Sequence, residues 1–288
     1  MNGLISTGLI GLSLGAQYAM IAIGFTLIFG IMGVINFMHG GAYVLGGYLA
    51  FTLYHSLGVP FAVAIALAVI AVAAFGYVLE VLLVDKYVND HLATMLITLG
   101  ANLILITGVI VVWGAEPVDY RFPIPGSFRA GGFYFPYSSA IVLAVCATSI
   151  AGMYYLIFRT RYGIALRAMA DNRMVATAQG IRPSRMFPLA FALAMGLAAL
   201  TGAMVTPILA LEPNLGESQL LKAFIVVILG GLGSVGGATI AAFIVGMVEA
   251  YSSVYLGGSK GSLVLFGIVL LLLLVRPSGL MGTEARKA

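Results

Sequence analysis

The first charged residue of this chain is Glu80, and none of the 79 positions before it is Asp, Glu, Lys or Arg. As helix that stretch would extend about 120 Å at about 1.5 Å per residue. A bilayer core about 30 Å thick would take it up as about three spans with their turns. The remaining sequence is similar: 61% of the 288 residues are hydrophobic and 8% charged, where soluble domains carry about 25% charge. The expected fold class is an all-α polytopic membrane protein, one transmembrane domain over residues 1–288. A transmembrane β-barrel is excluded, because its strands alternate apolar and polar and these runs do not. The net charge of +4 sits at helix ends rather than on one basic face, so no nucleic-acid partner is expected. Cys146 is the single cysteine and has no partner for a disulfide. Met1-Asn2-Gly3 lacks the basic start of a cleaved signal peptide, so the first apolar run is expected to stay as a span.

Apolar runs fall at about 4–34, 42–54, 61–84, 92–113, 138–158, 186–207, 223–248 and 263–275, giving about eight to nine transmembrane segments. Lys and Arg in short loops orient them. The segment 159–185 holds six arginines (159, 161, 167, 173, 182 and 185) against the single acid Asp171, which places it in the cytoplasm. Arg276, Arg286 and Lys287 put the C-terminal tail on the same side. Counting back, 114–137 is an outer loop, Asn36–Gly41 faces inward, and the N-terminus is outside. Parity then requires 223–248 to be a double element, since one crossing there would strand the basic tail outside.

The sequence marks the break. Gly230, Gly231, Gly233, Gly236 and Gly237 lie within eight residues, and each costs a helix about 1 kcal/mol against alanine. A glycine-broken helix is therefore expected near 230–237. It is either a turn between short helices at the membrane surface or a discontinuity at membrane depth, where free backbone groups must line a cavity or be buried in protein. Asn36-Phe37-Met38-His39-Gly40-Gly41 is a similar interruption, so the two are read as a distant internal repeat. Asn36, His39, Gly40, Gly230, Gly231, Gly233 and Ser234 are the candidates for a translocation path. Glu249 joins them as an ionisable residue in an apolar helix, either touching the path or snorkelling to the outer interface. Glu80 is expected to be interfacial.

Residues 162–180 are compatible with one surface helix that has a small-residue face (Ala165, Ala168, Met169, Asn172, Ala176). Arg167 and Asp171 form an i,i+4 pair, and Gly180 supplies a stop. Such a helix suits either docking to a soluble partner or a plain solvated loop. In the outer loop, aromatics such as Tyr120, Phe128 and Tyr134 are expected mostly in an interfacial belt. Glu212 and Glu217 are possible docking charges on the next outer loop. The chain has no Gly-Lys dipeptide and hence no phosphate-binding P-loop. His39, His55 and His91 are on separate segments without ligand spacing, and no catalytic pair is assignable. A secondary carrier would need a deeper carboxylate relay.

Four passages together resemble the permease subunits of branched-chain amino-acid ABC importers, of the LivH type. They are GFTLIFGIMGVINFMHGGAYVLGGY (24–48), RTRYGIALRAMADNRMVATAQGI (159–181), LKAFIVVILGGLGSVGGATIAAFIVGMVEA (221–250) and VRPSGLMG (275–282). They occur in family order and cover nearly the whole chain. Where such permeases often have Gly-Ser-Ile-Pro-Gly, this chain has Gly233-Ser234-Val235-Gly236-Gly237, so the geometry of the break is open. The resemblance implies a bacterial inner-membrane permease that is not itself an enzyme, with no cofactor of its own. ATP and magnesium would sit on two cytoplasmic ABC ATPase subunits. A second related permease and an extracytoplasmic binding protein would complete the assembly. Arg159, Arg161, Arg167, Asp171, Ala178 and Gly180 would belong to the ATPase-coupling loop, and 230–237 would lie beside the path. Urea and short-amide importers have similar permeases, so the cargo is not separated by these motifs.

Overall fold

The structure, a computed structural model, describes residues 2–130, 133–276 and 278–282. Arg286 and Lys287 lie outside the described residues. Helix α1 (Asn2–Met32) is followed by a non-helical stretch and α2 (Met38–Phe51), which a π-turn prolongs over Thr52–Ser56. Helix α3 (Phe61–Leu79) continues through a π-turn (Glu80–Val84) and a 3-10 turn (Asp85–Tyr87) before α4 (His91–Trp113). A hairpin of β1 (Ser127–Ala130) and β2 (Phe133–Pro136), with Phe128 opposite Phe135, precedes α5 (Tyr137–Arg159). Two short helices, α6 (Arg161–Asp171) and α7 (Arg173–Ala178), lead to α8 (Pro183–Leu209). The chain closes with α9 (Leu215–Gly230), α10 (Val235–Leu256) and α11 (Gly258–Val275).

Among the described residues six helices are long and apolar enough to cross a membrane: α1, α3 with its extension, α4, α5, α8 and α10. This is a multi-pass, all-α membrane protein. Helices α2 and α9 are shorter, at 14 and 16 residues, yet both are packed inside the bundle. The central position belongs to α1 and α8, whose most apolar stretches are 83% and 78% buried, whereas α4 is 11% buried. Glycine makes the central packing possible. Helix α10 runs antiparallel to α1, and a Cβ on Gly246 would strike the Gly15 backbone. On the far side of the core, Gly202 of α8 lies against the Tyr43 carbonyl of α2. Small residues let backbones approach this closely, and in lipid that contact replaces the missing hydrophobic drive.

The double element required by parity is present as α9 and α10, and the break falls at Gly231–Ser234. Gly231 and Gly233 take φ of +101° and +84°, a region that glycine enters without steric cost. Ser234 then caps α10 by accepting from the Gly237 N–H at 3.1 Å. Gly236 occupies the first turn, where a helical N–H has no intrahelical partner. Proline is tolerated there too, so the position accepts either residue. Gly233 lies beside Gly30, near the end of α1. The Tyr154 hydroxyl, in the last turns of α5, donates to Thr239 Oγ1 at 3.2 Å. The 278–282 segment closes the turn, with the Leu280 and Met281 N–H groups donating to the Leu229 and Gly230 carbonyls at 2.8 and 3.0 Å. The break is therefore a tight turn at the end of the bundle that carries α6 and α7. The expected break between two helices is present.

Candidate functional site

The discontinuity that does lie deep in the bundle is the earlier one. Gly33 turns the chain with φ +68°, and residues 34–37 run back along α1 before α2 starts. Asn36 Nδ2 lies 3.6 Å from Met195 Sδ, at the midpoint of α8. His39 Nε2 lies 3.0 Å from the Ile21 carbonyl. Ile21 is 11 residues before the end of α1, about 16 Å up a helix at about 1.5 Å per residue. Asn36–Gly41 thus does not face the end of the bundle as expected. The extended return carries it to membrane depth.

A break at that depth requires every backbone group to find a partner. Asn36 Oδ1 accepts from the Met38 N–H at 3.0 Å, and the Asn36 carbonyl accepts from the His39 N–H at 3.3 Å. Thr98 of α4 accepts from the Phe37 N–H at 3.3 Å and donates to the Ile35 carbonyl at 3.4 Å. Asn36 and His39 are fully enclosed, and Gly40 lies against the Gly216 carbonyl at the start of α9. These three candidates hold the break in shape, and their neighbours Ile35 and Phe37 face open space.

That space is a cavity of about 430 Å³ between α1, the break, α4 and the first half of α9. Phe25, Phe37, Leu103 and Phe224 give it an apolar wall, to which Asn102 and Glu217 add polar groups. Gly230, Gly231, Gly233 and Ser234 are not among its lining residues; they build the turn described above.

Glu249 has a different environment from either one expected. Its Oε1 accepts from Lys222 Nζ of α9 at 2.7 Å, and its Oε2 from the Tyr18 hydroxyl of α1 at 2.7 Å. Lys222 also donates to the Tyr18 hydroxyl at 2.9 Å. The cluster joins α1, α9 and α10, with the Lys222 and Glu249 side chains 29% and 20% exposed. Glu80 departs further from expectation. It is fully buried, with neither carboxyl oxygen hydrogen-bonded, because α3 continues two turns beyond it to Tyr87.

At the other end of the bundle, 159–180 is two helices rather than one. Asn172 breaks them and caps α7, accepting from the Val175 N–H at 3.1 Å. Thr160 caps α6 through the Gly163 N–H at 3.1 Å. The face buried on α6 is Gly163, Leu166 and Met169; of the expected stripe, Met169 and Ala176 are buried, Ala165 and Ala168 are half-buried and Asn172 is exposed. Tyr162 donates to the Met186 carbonyl at 3.2 Å, and burial pushes its hydroxyl above the ordinary tyrosine value. Arg167 forms no ion pair with Asp171 among the described residues; its guanidinium lies over the Phe158 ring at 5.1 Å. Arg173 reaches across to α8 and to the turn before α4, 4.8 Å over Phe187 and 3.0 Å from Asn89 Oδ1. Arg159, Arg161, Ala178 and Gly180 are exposed, as is Met174 at 83%.

Comparison with known proteins decides the family. The model of the branched-chain amino acid transport system / permease component family matches residues 8–274. The chain belongs to that family. The permease BraD of Pseudomonas aeruginosa is 31% identical over 94% of this chain and 94% of its own length. The permease LivH of Escherichia coli K12 is 30% identical over 94% of this chain and 93% of its own. The LivM permease of the same organism is 23% identical, covering 92% of this chain and 67% of its own length. The chain is accordingly a permease component, and its relatives are transport subunits.

For a permease of this family, the structure divides the sequence-derived candidates into two groups. Asn36, His39 and Gly40 stand together behind the cavity, while the 230–237 glycines and Ser234 stand apart from it. Phe37, Asn102, Lys222 and the depth of Glu80 escaped the sequence. Lys222 stands just before an apolar run, where a lysine marks a span boundary. Asn102 is a lone amide in a lipid-like helix, and only its position opposite α9 gives it a cavity. Among the described residues no group of His, Cys, Asp and Glu is arranged to hold a metal ion.

Proposed function

We propose that this chain is one of two related permease subunits in an ATP-driven importer of branched-chain amino acids, with the path running along the α4–α9 cavity. The family match over 8–274 carries the class, and the mainly apolar cavity favours an aliphatic cargo over urea or a short amide. That one organism holds both a LivH and a LivM relative supports a second, different permease as the partner. The exposed outer face of α4 is a surface for it, as well as for lipid.

In this reading α6 and α7 face the cytoplasm of the bacterial inner membrane, which the arginine-rich loop supports through the positive-inside bias. The N-terminus is then outside and the chain's C-terminal end inside. Exposed Ile164, Met174 and Val175 offer an apolar surface, framed by Arg159, Arg161 and Arg167, to one of two ABC ATPases. ATP and magnesium stay on those subunits, and this chain carries no hydrolytic step. A binding protein docks on the hairpin side, where exposed Phe128 and Tyr134 and the Asp119–Arg121 pair at 3.0 Å are accessible. Alternating access follows by linkage: nucleotide shifts the population only by as much as it binds one state better.

The test is reconstitution of both permeases, both ATPases and the binding protein in vesicles. Leucine should accumulate against its gradient only with ATP, and Met174→Asp should abolish ATPase co-purification. Uphill leucine uptake by this subunit alone would overturn the reading.

A further inference from the structure

The passage after α11 turns back and is built into the end of the bundle. The last carbonyls of a helix have no intrahelical partner, and α9 finds donors for two of them in this segment. The Leu280 and Met281 N–H groups donate to Leu229 and Gly230. A Cβ on Gly231 would strike the Gly282 backbone, so the two segments pack backbone to backbone. Leu280 lies against the apolar cluster of α9 and α10. Its neighbour Met281 is about half exposed, as is Leu232 in the α9–α10 turn. Segment 278–282 is thus a strap that holds two apolar side chains at the surface on a fixed backbone.

These side chains continue the surface of α6. A Cβ on Gly236 would lie 3.6 Å from Met281 Sδ and 3.9 Å from the Tyr154 hydroxyl. Tyr154 stacks on the half-exposed Phe158 with ring centroids 5.5 Å apart, and Phe158 carries the Arg167 guanidinium of α6. Helices α6 and α7 are small for a docking surface. They have 11 and 6 residues, and Gly163, Leu166, Met169 and Ala176 among them are buried. A stable interface takes about 20–30 residues a side, so a partner seated on them also covers neighbouring surface at this end of the bundle. The turn that α7 meets through Arg173 and Asn89 carries Asp85, Lys86 and Asp90, and interface cores are depleted of charge. The strap side offers apolar side chains on a clamped backbone, which has little freedom to lose on binding.

We propose that the strap and the α9–α10 turn form a second docking contact for the ABC ATPase, centred on Met281 and Leu232. The inference rests on the importer reading above, which assigns α6 and α7 to that ATPase, and extends the footprint to the end of the chain. One ATPase then grips two parts of the permease, the α5–α6 corner and the α9–α10 turn, with Phe158 between them. The membrane surface is the competing occupant, and it would meet the same two side chains whether or not an ATPase is present.

The experiment uses the assembled complex in proteoliposomes, with the photo-reactive residue benzoylphenylalanine in place of Met281, of Leu232 or, for reference, of Met174. Light should join the ATPase to all three positions. Met281→Asp and Leu232→Asp should each weaken ATPase binding to the permease pair by about tenfold, the size of one buried apolar side chain. Met281→Leu should bind as the wild type does. Crosslinks from Met174 with none from the other two positions would overturn the second contact and leave the importer reading standing. Crosslinks from Met281 and Leu232 to lipid alone would do the same, and so would wild-type ATPase affinity in both aspartate variants. No ATPase crosslink from any of the three positions would remove the docking surface of the importer reading, and the second contact with it.

Discussion

Glu249 and Glu80 are both carboxylic acids inside apolar helices, and their surroundings call for opposite responses to substitution. Glu249 is held by Lys222 and Tyr18, so removing the lysine strands a partly buried charge. Breaking a fully buried pair costs about 3–5 kcal/mol, and partial exposure reduces that here to about 1–3 kcal/mol. Lys222→Met should therefore lower the melting temperature of the complex in detergent, and so should Glu249→Lys. The double exchange Lys222→Glu with Glu249→Lys should recover most of the loss. A double variant no better than the singles would mean that the charges do not act as a pair. Glu80 has nothing to lose, since neither oxygen is paired. Replacing an unpaired buried polar group by an apolar one of similar size is neutral or stabilising. Glu80→Leu is expected to keep or raise the melting temperature, and a fall would reveal a partner for Glu80 in the assembled complex. The sequence marks Glu249 clearly, as an acid deep in an apolar run, but not its partner. Glu80 lies five residues before Asp85, and a pair of acids there reads as the end of a span when the helix runs on to Tyr87.

At the scale of elements, the link between the exposed loop and the cavity is Arg173. It opens α7, lies over Phe187 of α8, and meets Asn89 in the turn leading into α4. Helix α4 carries Asn102 and Leu103 into the cavity wall, so Arg173 offers a displacement of α7 a route to that wall. Arg173→Ala should leave assembly intact, because Leu166, Met169 and Ala176 still anchor the loop. It should also raise the ATP hydrolysed per leucine moved by several-fold; an unchanged ratio would assign the transmission to another contact. Elements of this kind are the most legible part of the sequence. Apolar runs give the spans, and parity with five close glycines gives α9 and α10. Asn172 escapes because a residue compatible with helix by pattern acts here as a cap. The depth of the α1–α2 break escapes for a different reason. Asn36–Gly41 announces an interruption, but the extended return over 34–37 is a tertiary event that no local composition encodes.

The whole molecule has a tightly packed half and a loosely attached one. Helices α1, α2, α8 and α10 interlock through glycine, and α1, α2 and α8 bury most of their residues. Helix α4 is largely exposed and touches the rest mainly along α2 and the end of α3. The cavity lies at the seam between these parts, with Leu103 on the loose side and Leu221 on α9, itself clamped to the packed half by the Lys222 cluster. Motion that opens and closes a path concentrates where few buried contacts resist it, so the expected movement is of α4 relative to α9. Hydropathy cannot reveal such a seam, because a residue facing a cavity and one facing lipid are equally apolar. Cysteines at Leu103 and Leu221 test it directly, since the chain's own Cys146 is buried and unpaired. Joining the two with a short bifunctional maleimide should stop leucine uptake in the reconstituted complex while the ATPases remain bound. Either cysteine alone, treated with a small monofunctional maleimide, should retain part of the uptake. Full uptake in the joined variant would place the moving boundary elsewhere in the bundle.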